Sequence, residues 1–368
     1  MLKVVIGNIF ESKATTLVNT VNCVGVMGKG IALEFKKQYP EMFYEYASLC
    51  ETNSIKPGVP YLYTDFNGTS ILNFPTKDHW RSASKLSYIV DGLKWFQNNY
   101  KRLNITSIAF PPLGCGNGGL SWEVVGPLMY EYLHCIPIYL EIYAPYGTKP
   151  EQLTEKFLSE NILHTPSEIL GNRQHPINKY WYLLLYVVQK LNADKHSLNV
   201  GRTIFQKLCY ILTRTGIPTE FHFVEGNYGP YAKEVNTAIT AFANANLLTE
   251  RRLGQMIEVV VSPSFTLNKG DYTADELNCA DQTVDLLSRI KRTDQAELIA
   301  TVLFSFDELS AKNITPIDTD VLNHVLGWKP HWNGRKEEII SAIANLSALG
   351  WMRPTQTKNF MISDDDLY

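Results

Sequence analysis

"VNTVNCVGVMGKGIALEFKKQYP", Val18 to Pro40, passes from a β-branched run through three glycines into a segment with apolar residues at helical spacing. Strand, glycine-rich turn and helix in that order form the repeating unit of α/β layer structures. A turn of this kind brings backbone N–H groups to a helix N-terminus, where an anion can approach the main chain closely. A second such turn, "GCGNGG" at Gly114–Gly119, follows the strand "ITSIAFPPLG" and leads into the helix "SWEVVGPLMYEYLH". Loops at the carboxyl ends of two strands flank the ligand crevice of an open α/β sheet, and two of them suit a pyrophosphate. Neither turn is G-x-G-x-x-G in the Rossmann position or G-x-x-x-x-G-K-[ST], so hydride transfer and P-loop chemistry both lack their residues. Taken singly, either set of glycines could equally be a tight turn and nothing more.

Working outward, "LKVVIGN" and "TTLVNTVN" read as strands, and "GIALEFKKQYPEMFYEYASLC" as one helix. "VPYLYTDFNGTSILNFP" reads as a hairpin around Asn67-Gly68, a dipeptide suited to a two-residue turn. "SKLSYIVDGLKWFQNNY" is an amphipathic helix with Ser84 as its expected N-cap, and "IPIYLEIYAPY" is a last strand. The expected fold class is therefore α/β, a three-layer α/β/α domain over residues 1–152. Residues 153–177 lose this rhythm and read as a linker preceded by a short helix. Residues 178–368 read as a mainly helical domain, with helices at "KYWYLLLYVVQKLN", "GRTIFQKLCYILTRTG" and "YGPYAKEVNTAITAFANANLL", the last with Pro230 near its first turn. "ANANLLTERRLGQMIEVVVS" and "AIANLSALGWMRPTQTKNFMIS" both run from a helix end into a β-ribbon, an internal echo of a winged-helix-like α+β module. The tail "SDDDLY" is acidic and expected to be mobile.

With 368 residues, 45% hydrophobic and 19% charged, the chain has an ordinary globular composition and room for two cores. The formal net charge of -3 hides no basic half: through Asn178 there are 15 Lys+Arg against 15 Asp+Glu, and after it 19 against 22. Any DNA contact should therefore be local. The six cysteines form no C-x-x-C pair and no Cys/His ligand spacing, so thiols in a reducing cytosol are expected, with no zinc site and no disulfide framework. No apolar run approaches the roughly 20 residues that span a bilayer, so no membrane association and a cytoplasmic location are expected.

Three motifs in order, "VNTVNCVGVMGKGIALEFKKQYP", "NFPTKDHWR" and "PPLGCGNGGLSW", resemble the macrodomains of the DarG antitoxins, the partners of the DarT toxins. The likeness is dense over about the first 150 residues, within the macrodomain branch related to the terminal ADP-ribose protein glycohydrolase of animals. It implies an ADP-ribose pocket, with ADP-ribose as ligand and product and no cofactor or metal. It implies removal of ADP-ribose from thymidine in single-stranded DNA that the toxin has modified.

The resemblance also assigns residues. Asn8, with Ile9 beside it, stands where many macrodomains place an Asp for the adenine amino group; an amide oxygen accepts the same bond without charge assistance, and a turn role is the alternative. Asn22 falls where family members contact the distal ribose. Gly28, Lys29, Gly30 and Ile31 form the first phosphate loop, and Gly114, Cys115, Gly116, Asn117 and Gly118 the second. In the related glycohydrolases a Thr-Lys pair matching Thr76-Lys77 supplies the nucleophile, the lysine attacking the anomeric carbon of the distal ribose. Such a lysine must be partly deprotonated.

The animal enzyme carries a catalytic Asp shortly after its G-C-G, whereas here no acid follows until Glu123. Asn117 positions water but exchanges no proton near neutral pH. Cys115 has no histidine in its motif and is read as packing rather than as a nucleophile. Trp80 and Arg81, close to Lys77 in sequence, could stack on an unpaired thymine and meet a phosphate; the alternative is a core indole and a solvated guanidinium. In the second domain, "TEFHFVEGNYGPYAKEV" reads as a structured strand-to-helix corner whose aromatics suit a core or a protein interface. The resemblance implies that this domain binds and blocks the DarT toxin, and its slight acidic excess fits a partner built for DNA. Two rival readings stay open: a non-catalytic ADP-ribose reader, and a glycohydrolase acting on Glu/Asp esters of proteins.

Overall fold

The computed structural model describes residues 2–65, 68–161, 177–194, 197–253, 256–312 and 316–355. The chain divides into two compact units, Met1–Ile177 with Asn236–Asn246, and Asn178–Val235 with Leu247–Tyr368.

In the first unit, strands β1 (Leu2–Val5), β2 (Thr16–Val21), β3 (Tyr61–Thr64), β4 (Ser70–Pro75), β5 (Ser107–Phe110) and β6 (Tyr139–Tyr143) form one sheet in the order β1-β6-β5-β2-β4-β3. All pairings are parallel except that of the edge strand β3 with β4. The central strand β2 is buried on both faces, as parallel strands covered by helices must be. Leu17 and Val21 face Phe35, Met42 and Tyr46 of α1 (Gly30–Gln38) and α2 (Pro40–Glu51). Val18 joins Leu72 and Phe74 against Ile89, Phe96 and Met129 of α3 (Leu86–Asn99) and α4 (Trp122–Leu133). This is the expected three-layer α/β/α architecture. Leu158, on α5 (Glu155–Glu160), belongs to the same core, so the start of the expected linker packs on this unit. The rest of that linker, 162–176, lies outside the described residues.

Asn19 and Asn73 sit directly opposite each other in the β2–β4 register, fully buried on the face of α1 and α2, with Asn19 Nδ2 donating to Asn73 Oδ1 at 2.9 Å. Asn19 Oδ1 and Asn73 Nδ2 have no partner among the described residues.

Two local expectations need correction, and a third holds. The single helix over 30–50 is two helices, because Pro40 cannot continue α1: Tyr39 leaves the helical region at φ -131°, ψ 70°, and Pro40 instead opens α2. Ser84 does not cap α3. Lys85 takes the N-cap position, Ser84 Oγ is buried without a partner among the described residues, and the Leu86 N–H donates instead to Asn244 Oδ1 at 2.8 Å within the same unit. The β3–β4 hairpin forms, with Asp65 N–H donating to Thr69 O at 2.8 Å; Asn67 lies outside the described residues.

The second unit is mainly helical. It holds α6 (Trp181–Ala193), α7 (Arg202–Arg214), the ribbon β7 (Leu248–Leu253) and β8 (Met256–Val261), and then α9 (Ala274–Ser288), α10 (Thr293–Ser310), α11 (Asp318–Trp328) and α12 (Lys336–Ala348). Helix α8 (Glu234–Asn244) crosses the division between the units. Between α6 and α7 a bridge at Gly201↔Glu258 ties the chain to the β7–β8 ribbon. Pro230 is not in the first turn of α8: Tyr231 is held extended by pairing with Val224, so the helix starts only at Glu234. The second expected ribbon does not appear in the described residues after α12, where Thr355 instead bridges Ile317 in parallel. The acidic tail lies outside them.

Candidate functional site

The parallel strands deliver their carboxyl ends to one edge of the sheet. Chain leaving β2 enters α1 and α2 on one face, and chain leaving β4 and β5 enters α3 and α4 on the other. Connections that part in opposite directions open a crevice between them, and both glycine loops and Lys77 lie at its rim.

Asn22 organises the first loop. Its Oδ1 accepts from the N–H groups of Val24 (2.9 Å) and Val26 (3.4 Å) and from the Tyr46 hydroxyl (3.0 Å), while Nδ2 donates to Val26 O at 2.5 Å. Both ends of the amide are thus taken up in shaping the turn. Gly25 adopts φ +77°, a conformation other side chains resist. Exposed Lys29 takes the extended N-cap position of α1 without capping it, and no acidic residue stands in the first turn. The positive end of the α1 dipole therefore opens beside Gly28, Gly30 and the half-buried Ile31.

Lys77 stands just past β4 on an extension of the sheet. Buried Thr76 donates its N–H to Val21 O (3.0 Å), and Cys23 donates its N–H to Asp78 O (3.0 Å). The Cys23 thiol also donates to Lys77 O at 3.3 Å. Burial, then Asp78 and Cys50, push that thiol up to about 12, so it stays a protonated donor. Lys77 Nζ donates across the crevice to Asn117 O at 2.6 Å. The lysine thus joins the two glycine loops.

The second loop is tightly folded. Leu120 N–H donates to Gly114 O (3.0 Å) and Ser84 N–H to Gly118 O (3.1 Å). A Cβ on Gly118 would lie 2.2 Å from Gly114 O, so the close approach requires glycine. A Cβ on Gly30 would lie 2.9 Å from Asn117 Nδ2, which puts the two loops against each other. On the loop's other side a Cβ on Gly119 would lie 2.7 Å from Thr240 Oγ1, in the 236–246 segment of the same unit. Gly116 and Asn117 are exposed at the tip. Burial first, then Glu123, pushes the Cys115 thiol up to about 12, which suits packing and not attack. Glu123 accepts from the Ser121 hydroxyl and from Gln152 Nε2 (3.0 Å) at the start of α4.

After β1, Ile9 is a core residue while Asn8 is exposed, and the Asn8 side-chain oxygen Oδ1 accepts from Phe10 N–H at 3.2 Å in its own turn. Trp80 is 44% exposed, with the Arg81 guanidinium 4.5 Å from its ring centre and His79 stacked beside it at 5.6 Å. The indole is therefore no core residue. Sequence reading passed over Cys23, since its partner oxygen belongs to a residue 54 positions away and no spacing rule reports such a contact.

Among the described residues no group of three or more His, Cys, Asp or Glu could hold a metal ion, and no helix is long and apolar enough to cross a membrane.

A family model described as Macro domain matches residues 18–129. A DNA ADP-ribosyl glycohydrolase of Mycobacterium tuberculosis (strain ATCC 25618 / H37Rv) is 31% identical over 382 residues, covering 98% of this chain and 95% of that protein. A DNA ADP-ribosyl transferase-DNA ADP-ribosyl glycohydrolase fusion protein of Thermosipho africanus is 41% identical over 180 residues, 44% of this chain and 46% of that protein. The solved macrodomain of Thermus aquaticus DarG is 42% identical, covers 39% of this chain and 99% of its own, and aligns with a TM-score of 0.38.

Proposed function

The chain belongs to the family of DNA ADP-ribosyl glycohydrolases, and from that premise we propose a division of labour between its units. The first removes ADP-ribose from thymidine in single-stranded DNA by hydrolysing the N-glycosidic bond, with Lys77 as nucleophile. The second binds and neutralises the toxin DarT, the DNA ADP-ribosyltransferase that makes the modification, in the cytoplasm.

In this reading the adenosine lies toward Asn8 and Ile9, and the pyrophosphate rests on the N–H groups of Gly28–Ile31 and Gly114–Gly118. That places the distal ribose at Lys77. The ammonium gives up a proton and its hydrogen bond to Asn117 O, and the amine lone pair forms a bond to the anomeric carbon. The carbon–thymine bond breaks with its electron pair going to the base, which takes up a proton. Water then attacks the same carbon, the lysine amine leaves, and free ADP-ribose departs. Glu123 is engaged by Ser121 and Gln152, so solvent or the base itself carries the protons. Trp80 and Arg81 offer an aromatic face and a cation to the flanking DNA.

The observation that carries the reading is the seat of Lys77, fastened to the end of β4 with its amine reaching the second glycine loop. The engaged Glu123 favours the alternative in which the unit only reads ADP-ribose. The deciding assay is release of ADP-ribose from a short single-stranded DNA bearing ADP-ribosyl-thymidine, with Lys77→Ala beside the parent after both are shown to bind ADP-ribose. Release by the parent and loss in the variant support the glycohydrolase, whereas binding without release leaves a reader. A panel including Glu/Asp ADP-ribosyl esters tests the protein-directed alternative. Toxin binding draws support from the fusion protein, in which transferase and glycohydrolase share one chain.

A further inference from the structure

In the second unit two lysines, each 2% exposed, converge under one short loop. Lys329 Nζ donates to Gly226 O at 3.3 Å and to Asn227 O, and is paired with Glu297 at 2.9 Å. Lys207 Nζ donates to Pro230 O at 3.0 Å. The loop closes on itself through reciprocal 2.9 Å bonds between Val224 and Tyr231, and Gly229 turns at φ +87° with its N–H on Gly226 O (3.2 Å). Two buried ammonium groups are expensive to keep, and their partners here are Glu297 and main-chain carbonyls of one loop. What that anchorage holds up is apolar and outward: Val224 is 58%, Tyr228 68% and Tyr231 41% exposed.

A surface loop whose backbone is already fixed loses little further entropy when it is gripped, and exposed tyrosines are favoured anchors of protein interfaces. In and beside the loop the sequence carries Glu220, Glu225 and Glu234 against Lys233, while the buried Lys207 and Lys329 beneath it are taken up by its carbonyls and by Glu297. That balance disfavours a phosphate backbone and complements a basic rim.

We propose that the Val224–Tyr231 loop is the anchor by which this unit grips a basic protein partner, with Tyr228 seated in an apolar pocket of that partner. The assignment rests on the toxin-binding reading above and locates its surface.

The test is titration of the full-length protein with purified DarT toxin, comparing the parent with Tyr228→Ala and Tyr231→Ala, and with Glu225→Lys at low and moderate salt. Tyr228→Ala is expected to weaken binding by roughly 30-fold or more, the scale of an interface hot spot. Glu225→Lys is expected to slow association several-fold at low salt. Release of ADP-ribose from DNA should be unchanged, and a thermal melt and far-UV circular dichroism matching the parent certify that the second unit stays folded. If the parent fails to bind toxin, the toxin-binding reading falls. If the parent binds and Tyr228→Ala binds equally well, this assignment is overturned while that reading stands. Loss of single-stranded DNA affinity in Tyr228→Ala with toxin affinity intact would also overturn it, making the loop a base-stacking platform.

Discussion

The Cys23 thiol donates to the main-chain oxygen of Lys77, and the Cys23 N–H reaches the oxygen of Asp78, so one residue of the first glycine loop holds the two backbone carbonyls that follow the side chain proposed as nucleophile. Cys23→Ala removes one hydrogen bond worth about 0.5–1.5 kcal/mol. The expected result is a fall in kcat of about 2- to 10-fold with ADP-ribose affinity and melting temperature nearly unchanged, and recovery in Cys23→Ser. A variant that loses stability but keeps kcat would show that the thiol only packs.

The second glycine loop separates two neighbours sharply. A Cβ on Gly118 meets Gly114 O at 2.2 Å and Ser84 Oγ at 2.4 Å, whereas one on Gly116 meets nothing within 4 Å. Gly118→Ala should cost about 1–3 kcal/mol and most ADP-ribose binding, while Gly116→Ala should stay within about 0.5 kcal/mol of the parent. Thermal melts with and without ADP-ribose decide both.

Trp80 carries an exposed ring already faced by Arg81. Base stacking on an aromatic contributes about 1–3 kcal/mol. Trp80→Ala should therefore raise KM for ADP-ribosylated DNA by roughly 5- to 100-fold and leave binding of free ADP-ribose alone. Equal kinetics on DNA would remove the stacking role.

Burial, opposed by Glu297 and reinforced by Lys329, brings Lys207 from 10.5 down to about 8. Between those two values the unfolded chain binds the proton that the folded protein has released, so stability rises with pH there, by up to about 1.4 kcal/mol per pH unit. Urea melts from pH 8 to 10 should show this rise, and Lys207→Met should flatten it. A slope that survives in the variant would assign it to another group.

The layered architecture was legible because β2 and its helices advertise opposite periodicities around a glycine turn, and the order of three motifs located Lys77 and both loops. Shorter-range features were less so. Tyr39 ends α1 because of a proline whose helix-starting role looks, in sequence, like helix continuation. Ser84 had the composition of a cap, yet its backbone is committed to Gly118 and the cap comes from Asn244, 158 residues from the amide it accepts. Lys207 and Lys329 drew no attention in the sequence, since nothing local marks a lysine whose partners include the carbonyls of a distant loop.

The buried Asn19–Asn73 pair bears on how the chain avoids wrong folds. Parallel strands slide past one another easily when every inward residue is aliphatic, because one apolar contact replaces another. Sliding β4 by two residues keeps the same faces inward but separates the two amides, each then desolvated with nothing to bond, at about 1–3 kcal/mol apiece. Misaligned pairings formed early in folding are thereby made short-lived, and the chain is returned to the one alignment in which Thr76 follows Val21. The height of Lys77 above the sheet is set four residues below it, in the core.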